Sequence, residues 1–115
     1  MAVTRIVANL PAEDPVALAR FYATVFGLDL VHDMGWIAFL SREAAQGIEL
    51  HTASEGGMGT ALPVISIGVD DLDAAEAAVR RAGADVVYGP VTESWGLRRF
   101  FFGDPAGNLV NVVNS

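Results

Sequence analysis

A carboxylate and an imidazole stand two residues apart in the segment 47–53, which carries Glu49 and His51. The segment is predicted as a strand, and residues i and i+2 of a strand point to the same face. A carboxylate beside an imidazole can serve as a base with its orienting partner, or it can hold a charged ligand. We expect ligand binding rather than catalysis from this pair, with Glu49 as the candidate base if catalysis occurs.

A second polar and aromatic group surrounds a predicted hairpin turn at residues 104–108. Asp104 can accept hydrogen bonds from backbone N–H groups ahead of it, and Pro105 presets φ for the turn. Antiparallel pairing across the turn places Arg99 and Phe101 on the face of Asn111. By the same alternation, Ile37 and Phe39 share the face of Glu49, as does Asn9 on the first strand.

These faces define a candidate binding site with aromatic walls and few polar groups, a composition that suits a small organic ligand. The structural alternatives are an ion pair between Glu49 and Arg99, which would satisfy both charges, and ordinary core packing of the phenylalanines. Trp36 and Trp95 are expected at the rim, and His32 in a solvated turn. The candidate ligand-binding residues are Asn9, Trp36, Phe39, Glu49, His51, Trp95, Arg99, Phe101 and Asn111.

Two similar halves must position these residues. The first is predicted as a strand at 6–10, a helix at 15–26 and strands at 28–32, 35–41 and 47–53. The second is predicted as a strand at 64–69, a helix at 72–82 and strands at 85–88, 97–103 and 109–114. Each half is therefore a βαβββ unit. The fold class is α+β in one domain, 1–115, with modules at 4–53 and 63–115 and a glycine-rich linker at 54–62.

Local signals fix the helix ends. Asp14 is a strong N-cap, Pro15 suits the first helical position, and Gly27 suits a left-handed C-terminal residue. In the second half, Asp71 or Asp73 caps the helix and Gly83 ends it. The stripes predicted to face the sheet are Leu18, Phe21, Tyr22 and Val25 in the first helix, and Leu72, Ala75, Val79 and Ala82 in the second.

Composition excludes several classes of function. The chain has no cysteine, so disulfides and thiol nucleophiles are excluded. Its net charge is −7, and every basic residue is arginine, which argues against a nucleic-acid partner. No apolar run is long enough to cross a bilayer, and no signal peptide is visible. We therefore expect no membrane association and a cytoplasmic location.

The doubled βαβββ unit is accompanied by two motifs. The first helix carries Asp14-Pro15, Phe21-Tyr22 and Phe26-Gly27-Leu28. The C-terminal half carries Trp95-Gly96-x-Arg98 and Asp104-Pro105-x-Gly107-Asn108. Together they resemble the vicinal oxygen chelate superfamily, which includes glyoxalase I, extradiol dioxygenases, fosfomycin-resistance thiol transferases and bleomycin-resistance proteins. The resemblance implies that the modules form a curved mixed sheet shaped as a cup, with the helices on its outer face.

In metal-using members, His, Gln or Glu on the first strand of each module and a carboxylate on its last strand hold the ion. Carried over, these positions fall on Val7 and Val64 for the first strands, and on Glu49 and Asn111 for the last strands. Valine has no ligand atom and the asparagine amide is a weak ligand, so only Glu49 is retained. The resemblance therefore implies no metal, and we expect no cofactor.

The resulting prediction is a non-enzymatic homodimer that binds a small organic ligand. The ligand is expected to be cationic or aromatic, an antibiotic being one example, as in the bleomycin-resistance branch. One alternative is a superfamily enzyme of the lyase, isomerase or dioxygenase type, metal-dependent or metal-free, that uses Glu49 and His51. Another is an interaction module in which Phe39 and Phe101 fill the cup themselves. Whether the modules pair within one chain or between two is left open.

Overall fold

The structure, a computed structural model, describes residues 1–43 and 47–114. Residues 44–46 of the first predicted module and residue 115 of the second lie outside the described part. The elements are β1 Val3–Pro11, α1 Pro15–Phe26, β2 Asp29–Asp33, β3 Ile37–Ser41, β4 Glu49–Ala53, β5 Ile65–Val69, α2 Leu72–Arg81, β6 Asp85–Thr92, β7 Arg98–Gly103 and β8 Leu109–Asn114. The order βαβββ therefore occurs twice, and the predicted α+β class is confirmed.

One compact unit spans Val7–Leu62. Its strands lie in the order β2-β3-β4-β1. The outer pairs β2–β3 and β3–β4 are antiparallel, whereas β1 runs parallel to β4. Since α1 connects β1 to the antiparallel strands, this unit has the connectivity expected of one βαβββ module.

The other compact unit contains Pro63–Ser115 together with Met1–Ile6. Its strands lie in the order β5-β8-β7-β6, with β5 parallel to β8 and the other two pairs antiparallel. The first residues of β1 join this unit because Ala2 N donates to Asp70 Oδ1 (2.6 Å) and Asp70 N donates to Ala2 O (3.1 Å). We refer to the two units as the first and second module.

Both helices begin at the predicted caps. Asp14 Oδ1 accepts a hydrogen bond from Ala17 N at 3.1 Å, and Asp71 Oδ1 accepts one from Ala74 N at 3.0 Å, so Asp71 rather than Asp73 is the second N-cap. α1 ends at Gly27, whose φ of 69° is left-handed. Neither helix in the described part of the chain is long and apolar enough to cross a bilayer.

The face that α1 buries differs from the predicted stripe. Pro15 and Ala19 are buried and Tyr22 packs against the core, but Phe21 and Val25 are 56% and 54% exposed. The prediction was wrong because α1 is apolar around most of its circumference, so spacing alone selects no single face. The small Ala19 allows the helix to lie close to Ala38 and Leu40 of β3.

The second module has a core of larger side chains. Phe100 and Val112 of the sheet pack against Leu72 and Ala75 of α2, with Val79 at the margin. The α2 stripe is therefore confirmed over its first two turns, whereas Ala82 is exposed.

Most strand bounds agree with the prediction to within two residues. β1 is longer than predicted, because it runs over Val3–Pro11 rather than 6–10. β6 runs to Thr92 instead of ending at Tyr88, because its register with β7 shifts twice and pairing resumes at Val91. His32 lies within β2 rather than in a turn, although its side chain is exposed.

Candidate functional site

In the first module, a stacked and hydrogen-bonded group forms on β3 and β4. Glu49 Oε2 lies 2.6 Å from His51 Nε2. The imidazole stacks on Phe39, with ring centroids 4.1 Å apart and planes inclined by 17°. This contact follows from the sheet, because antiparallel pairing places Phe39 directly opposite His51. We call Glu49, His51 and Phe39 the first-module cluster.

The members of this cluster differ in their access to solvent. The His51 side chain is 4% exposed, whereas a quarter of the Glu49 side chain is exposed. The buried imidazole is oriented by the carboxylate and the phenyl ring, and the carboxylate presents charge at the surface. Such a pair can hold a cation, or it can accept and return a proton.

Two further polar residues adjoin the cluster. The His32 ring lies 5.3 Å from the Phe39 ring, so Phe39 has an imidazole on either side. Asn9 is buried on β1 and is the register partner of His51 on β4. The sequence had placed Asn9, Phe39, Glu49 and His51 on one face, and the structure brings them together within the first module.

In the second module, a buried ion pair occupies the start of β7. Arg99 Nε donates to Glu93 Oε2 at 2.7 Å, and Arg99 Nη2 lies 2.5 Å from the same oxygen. Both side chains are nearly inaccessible, with 6% of Arg99 and 3% of Glu93 exposed. Because the two opposite charges lie side by side inside the module, the Glu93–Arg99 pair as a whole carries no net charge.

Three aromatic rings surround the Arg99 guanidinium. Its carbon lies 5.5 Å from the ring centroid of Tyr88, 5.2 Å from that of Trp95 and 4.7 Å from that of Phe101. These distances are within the range of cation–π attraction. We call Tyr88, Glu93, Trp95, Arg99 and Phe101 the second-module cluster.

Tyr88 completes this network with its hydroxyl, which donates to Glu93 Oε2 at 2.9 Å. Burial, followed by this hydrogen bond, raises the pKa of Tyr88 above its ordinary value of 10.0. The phenol is therefore a neutral donor at physiological pH.

Glu93 and Tyr88 were missed by the sequence analysis, which considered only Glu49 as a partner for Arg99. In the structure Glu49 contacts His51 and Arg99 contacts Glu93. The sequence feature that could have identified Glu93 is the glycine at position 96, which is typical of a turn. In the structure Gly96 has a φ of 95°, and Glu93 N donates a hydrogen bond to Leu97 O. That tight turn returns Glu93 beside Arg99, and a buried carboxylate requires a cation nearby.

A third polar contact joins β5 to β8. Asn111 Nδ2 donates to Ser66 Oγ at 3.0 Å, and both residues are buried. Asn111 Oδ1 is buried and accepts no hydrogen bond from the described residues. The side chain therefore retains an unused acceptor beside Phe101, its register partner on β7.

The register relates the polar positions of the two modules. His51 pairs with Phe39 and Asn9, and Asn111 pairs with Phe101 and Ser66. By its strand partners, Asn111 therefore corresponds to His51. Counting residues from the Asp104 motif matches Asn111 to Glu49 instead, two residues from His51, because such counting does not include strand register.

The donor set does not fit the metal site of the metal-using members. Val7 is buried in β1, Val64 is half-exposed just before β5, and neither has a ligand atom. Across residues 1–43 and 47–114, no three His, Asp or Glu side chains converge as a metal site requires. Glu49 and His51 together provide fewer protein ligands than a catalytic zinc site uses.

The remaining predicted residues are the tryptophans. Trp95 is half-buried and packs against Arg99, as part of the second-module cluster. Trp36 is half-buried at the start of β3, where its carbonyl accepts a hydrogen bond from Ser54 N at 2.9 Å.

Several solved structures share this fold. A methylmalonyl-CoA epimerase variant from Streptomyces coelicolor, in complex with 2-nitronate-propionyl-CoA, has 25% identity and a TM-score of 0.70, with 99% of this chain and 96% of that chain covered. An NAD-dependent benzaldehyde dehydrogenase structure from Legionella pneumophila has 13% identity and a TM-score of 0.74, over 95% and 97% of the chains. The Mn(II)-bound glyoxalase from Novosphingobium aromaticivorans has 24% identity and a TM-score of 0.65, over 97% and 38%.

A search among curated protein sequences finds no match. The profile of the Glyoxalase/Bleomycin resistance protein/Dioxygenase superfamily, by contrast, matches residues 4–112. This match covers nearly the whole chain and agrees with the doubled βαβββ order and with the structural neighbours. The protein therefore belongs to the glyoxalase/bleomycin resistance protein/dioxygenase superfamily.

Proposed function

We propose that this protein binds a small cationic aromatic molecule and that the first-module cluster is its recognition element. The observation that carries the proposal is the contact of Glu49 with His51, in which a partly exposed carboxylate adjoins a buried imidazole stacked on Phe39. A partly exposed carboxylate attracts a cation through its charge, and nearby aromatic rings add cation–π attraction.

The distribution of charge supports a cationic rather than an anionic ligand. Arg99, the buried cation of the predicted site, is neutralised by Glu93. Glu49 lies beside an imidazole, and the whole chain has a net charge of −7. Both the local carboxylate and the long-range field therefore favour a positive ligand.

A charge series tests this proposal. Phenyltrimethylammonium, its neutral isostere tert-butylbenzene and the anion benzoate would be titrated into the protein while the aromatic resonances of Phe39 and His51 are followed by NMR. We expect the cation to bind at least about tenfold more tightly than the neutral compound, a difference of about 1.4 kcal/mol, and benzoate not to bind.

Matched variants locate the site. Glu49→Gln should weaken binding of the cation about tenfold, whereas Glu13→Gln, which removes the same charge at an exposed position, should leave it unchanged. Equal affinity for all three probes, or equal effects of the two variants, would contradict the proposal.

The antibiotic version of this proposal follows from the bleomycin-resistance branch of the superfamily. Bleomycin is bulky, aromatic and cationic, and Trp36 and Trp95 would report its binding through their fluorescence. Unchanged tryptophan emission at high bleomycin concentration would reject bleomycin as the ligand. The charge series would still test the general proposal independently.

A second candidate function is proton transfer at a carbon beside a carbonyl, as in an isomerase. It is favoured by the 2.6 Å contact between Glu49 and His51 and by the similarity to methylmalonyl-CoA epimerase. Glu49 would remove the proton and return it, while His51 orients the carboxylate.

Deuterium exchange tests this candidate. Methylmalonyl-CoA would be incubated with the protein in D₂O, and loss of its C–H signal next to the thioester would be followed by NMR. Exchange that is lost in Glu49→Gln and retained in Glu13→Gln supports the enzyme, whereas no exchange above the buffer rate rejects it for this substrate. Elemental analysis of the same sample would contradict the metal-free form of either function if a stoichiometric transition metal were found.

A further inference from the structure

A pocket lies in the second module between α2 and the sheet. Ile67, Phe102 and Val112 form its floor, and Val112 follows Asn111 along β8, so the side chains of these two residues point to opposite faces of the sheet. The volume of the pocket is about 590 Å³. Every residue that lines it belongs to the second module. We call it the α2 pocket.

Alanines on the helix side leave this space open. Ala78 and Ala82 line the pocket one turn apart, where a longer side chain would reach toward the sheet. Phe102 on the floor is therefore only half-buried, and Val3, which also lines the pocket, is 53% exposed. Because apolar side chains gain stability when they leave water, an occupant that covers this surface would bind favourably.

The size of the pocket suits a small molecule rather than a segment of another protein. Pockets that bind small ligands measure about 300–1,000 Å³, and the α2 pocket falls within this range. A helix with its side chains is about 10–12 Å across, so the same space would hold only roughly one helical turn. The occupant is therefore expected to be a small molecule.

The charges at the margin favour neither sign. Asp85 and Asp104 line the pocket, but so does Met1 with its amino group. The Asp104 carboxylate already accepts hydrogen bonds within its own turn, and Arg80 on α2 pairs with Glu76 at 3.0 Å. A charged ligand would lose its hydration over an apolar floor that offers no counterion, which is costly. The pocket therefore favours an uncharged ligand.

We propose that the α2 pocket binds an uncharged aromatic small molecule whose ring lies against Phe102. Apolar cavities in proteins take up aromatic hydrocarbons, and two aromatic rings attract each other further in offset or edge-to-face arrangements. The site uses neither Glu49 nor His51, and it selects against the positive charge that the proposed function requires. It is therefore independent of the proposed function.

A charge series on one ring system tests the proposal. The uncharged 1-naphthol, the anion 1-naphthoate and the cation 1-naphthylmethylammonium would be titrated into protein with isotope-labelled Ile and Val methyl groups, and the resonances of Ile67 and Val112 would be followed by NMR. We expect 1-naphthol to bind with a dissociation constant below about 1 mM, and both ions to bind at these methyl groups at least about tenfold more weakly.

Matched substitutions on α2 locate the ligand. Ala78→Leu and Ala82→Leu each fill part of the pocket and should weaken binding of 1-naphthol about tenfold or more. Ala77→Leu makes the same change at an exposed position of α2 that does not line the pocket, so it should bind like the wild type. Circular dichroism and thermal unfolding confirm that each variant is folded, and two pocket variants keep the test open if one of them does not fold.

Three results would overturn the proposal: no shift of the Ile67 and Val112 resonances up to the solubility limit of 1-naphthol, equal affinity of the three molecules at these groups, or equal binding by Ala77→Leu and the folded pocket variants. Glu49→Gln separates this site from the proposed function. It should weaken binding of the cation in the first module and leave 1-naphthol binding unchanged, and loss of 1-naphthol binding in this variant would also contradict the α2 pocket.

Discussion

The two modules use their polar side chains differently although they share one connectivity. In the first module, Glu49 is a quarter exposed and contacts a buried histidine. In the second, Glu93 is almost inaccessible and its charge is matched by Arg99. A repeated βαβββ frame therefore does not repeat its chemistry. The second module buries its carboxylate in an ion pair, whereas the first keeps one partly exposed beside a histidine.

The largest expected effect concerns the buried ion pair. Glu93→Gln removes the buried carboxylate that Arg99 contacts among aromatic rings, so it should lower the free energy of unfolding by about 3–5 kcal/mol. Glu49→Gln, which changes the carboxylate of the first-module cluster, should cost about 1 kcal/mol because the side chain reaches solvent. Urea denaturation followed by circular dichroism measures both free energies of unfolding. Similar losses of stability for the two variants would contradict the view that only the carboxylate of the second module is structural.

A glycine in each module provides the next comparison. A Cβ at Gly89 would lie 2.6 Å from Arg99 O, whereas a Cβ at Gly27 would meet nothing within 4 Å. Both glycines have positive φ, so Gly27→Ala should cost about 1 kcal/mol from the backbone alone. Gly89→Ala adds overpacking and should cost about 2–4 kcal/mol in the same denaturation assay. Equal costs would show that β6 can move away from Arg99.

A smaller effect is expected at the register partners of the central polar positions. Ser66→Ala removes the acceptor for Asn111 Nδ2 and should lower the free energy of unfolding by about 1 kcal/mol. Asn9→Ala at the equivalent position of the first module gives the parallel value. A double-mutant cycle of Ser66→Ala with Asn111→Ala should show coupling, and purely additive losses would contradict the hydrogen bond.

The smallest effect depends on pH and concerns the hairpin turns. Asp104 Oδ1 accepts hydrogen bonds from Ala106 N and Asn108 N, and Oδ2 accepts one from Asn108 Nδ2. These bonds, the Asn108 side chain first, lower the pKa of Asp104 below its ordinary value of 3.8. Because the folded-state pKa is the lower one, the stabilisation is complete above pH 3.8 and is lost as the pH falls through the folded value.

Asp104→Asn should therefore destabilise the protein at pH 7 and have less effect as the pH falls below 3.8. Asp33→Asn is the control in the first module, where Asp33 Oδ1 accepts a single backbone hydrogen bond, from Gly35 N. Thermal unfolding across the acid range measures both variants. A difference between Asp104→Asn and the wild type that stays constant with pH would contradict this account.

Local sequence signals predicted the elements well. Asp14, Pro15 and Gly27 fixed both ends of α1, and the Asp104 turn fixed β8, because caps and turns depend on residues close in sequence. Alternation along β7 also placed Phe100 and Phe101 on opposite faces, and in the structure Phe100 packs against α2 whereas Phe101 packs against Tyr88, both of them buried.

Longer-range features could not be predicted in the same way. The partner of Arg99 depends on the turn that returns Glu93, and the register depends on pairings between strands. The buried face of α1 depended on Ala19, which permits close approach to the sheet, whereas hydrophobicity would have favoured Phe21. The sequence thus predicted which strands and faces carry residues such as His51 and Arg99, whereas their contacts, and the part played by Tyr88 and Glu93, depend on the tertiary fold.

The matching positions of His51 and Asn111 also suggest a route for protein engineering. Asn111 lies opposite Phe101 and Ser66 on the neighbouring strands. His51 likewise lies opposite a phenylalanine, Phe39, and a polar residue, Asn9. Asn111→His would give the second half an imidazole in a setting that evolution has used in the first. The internal repeat thus acts as a template that shows where a second buried imidazole can be introduced by a single substitution.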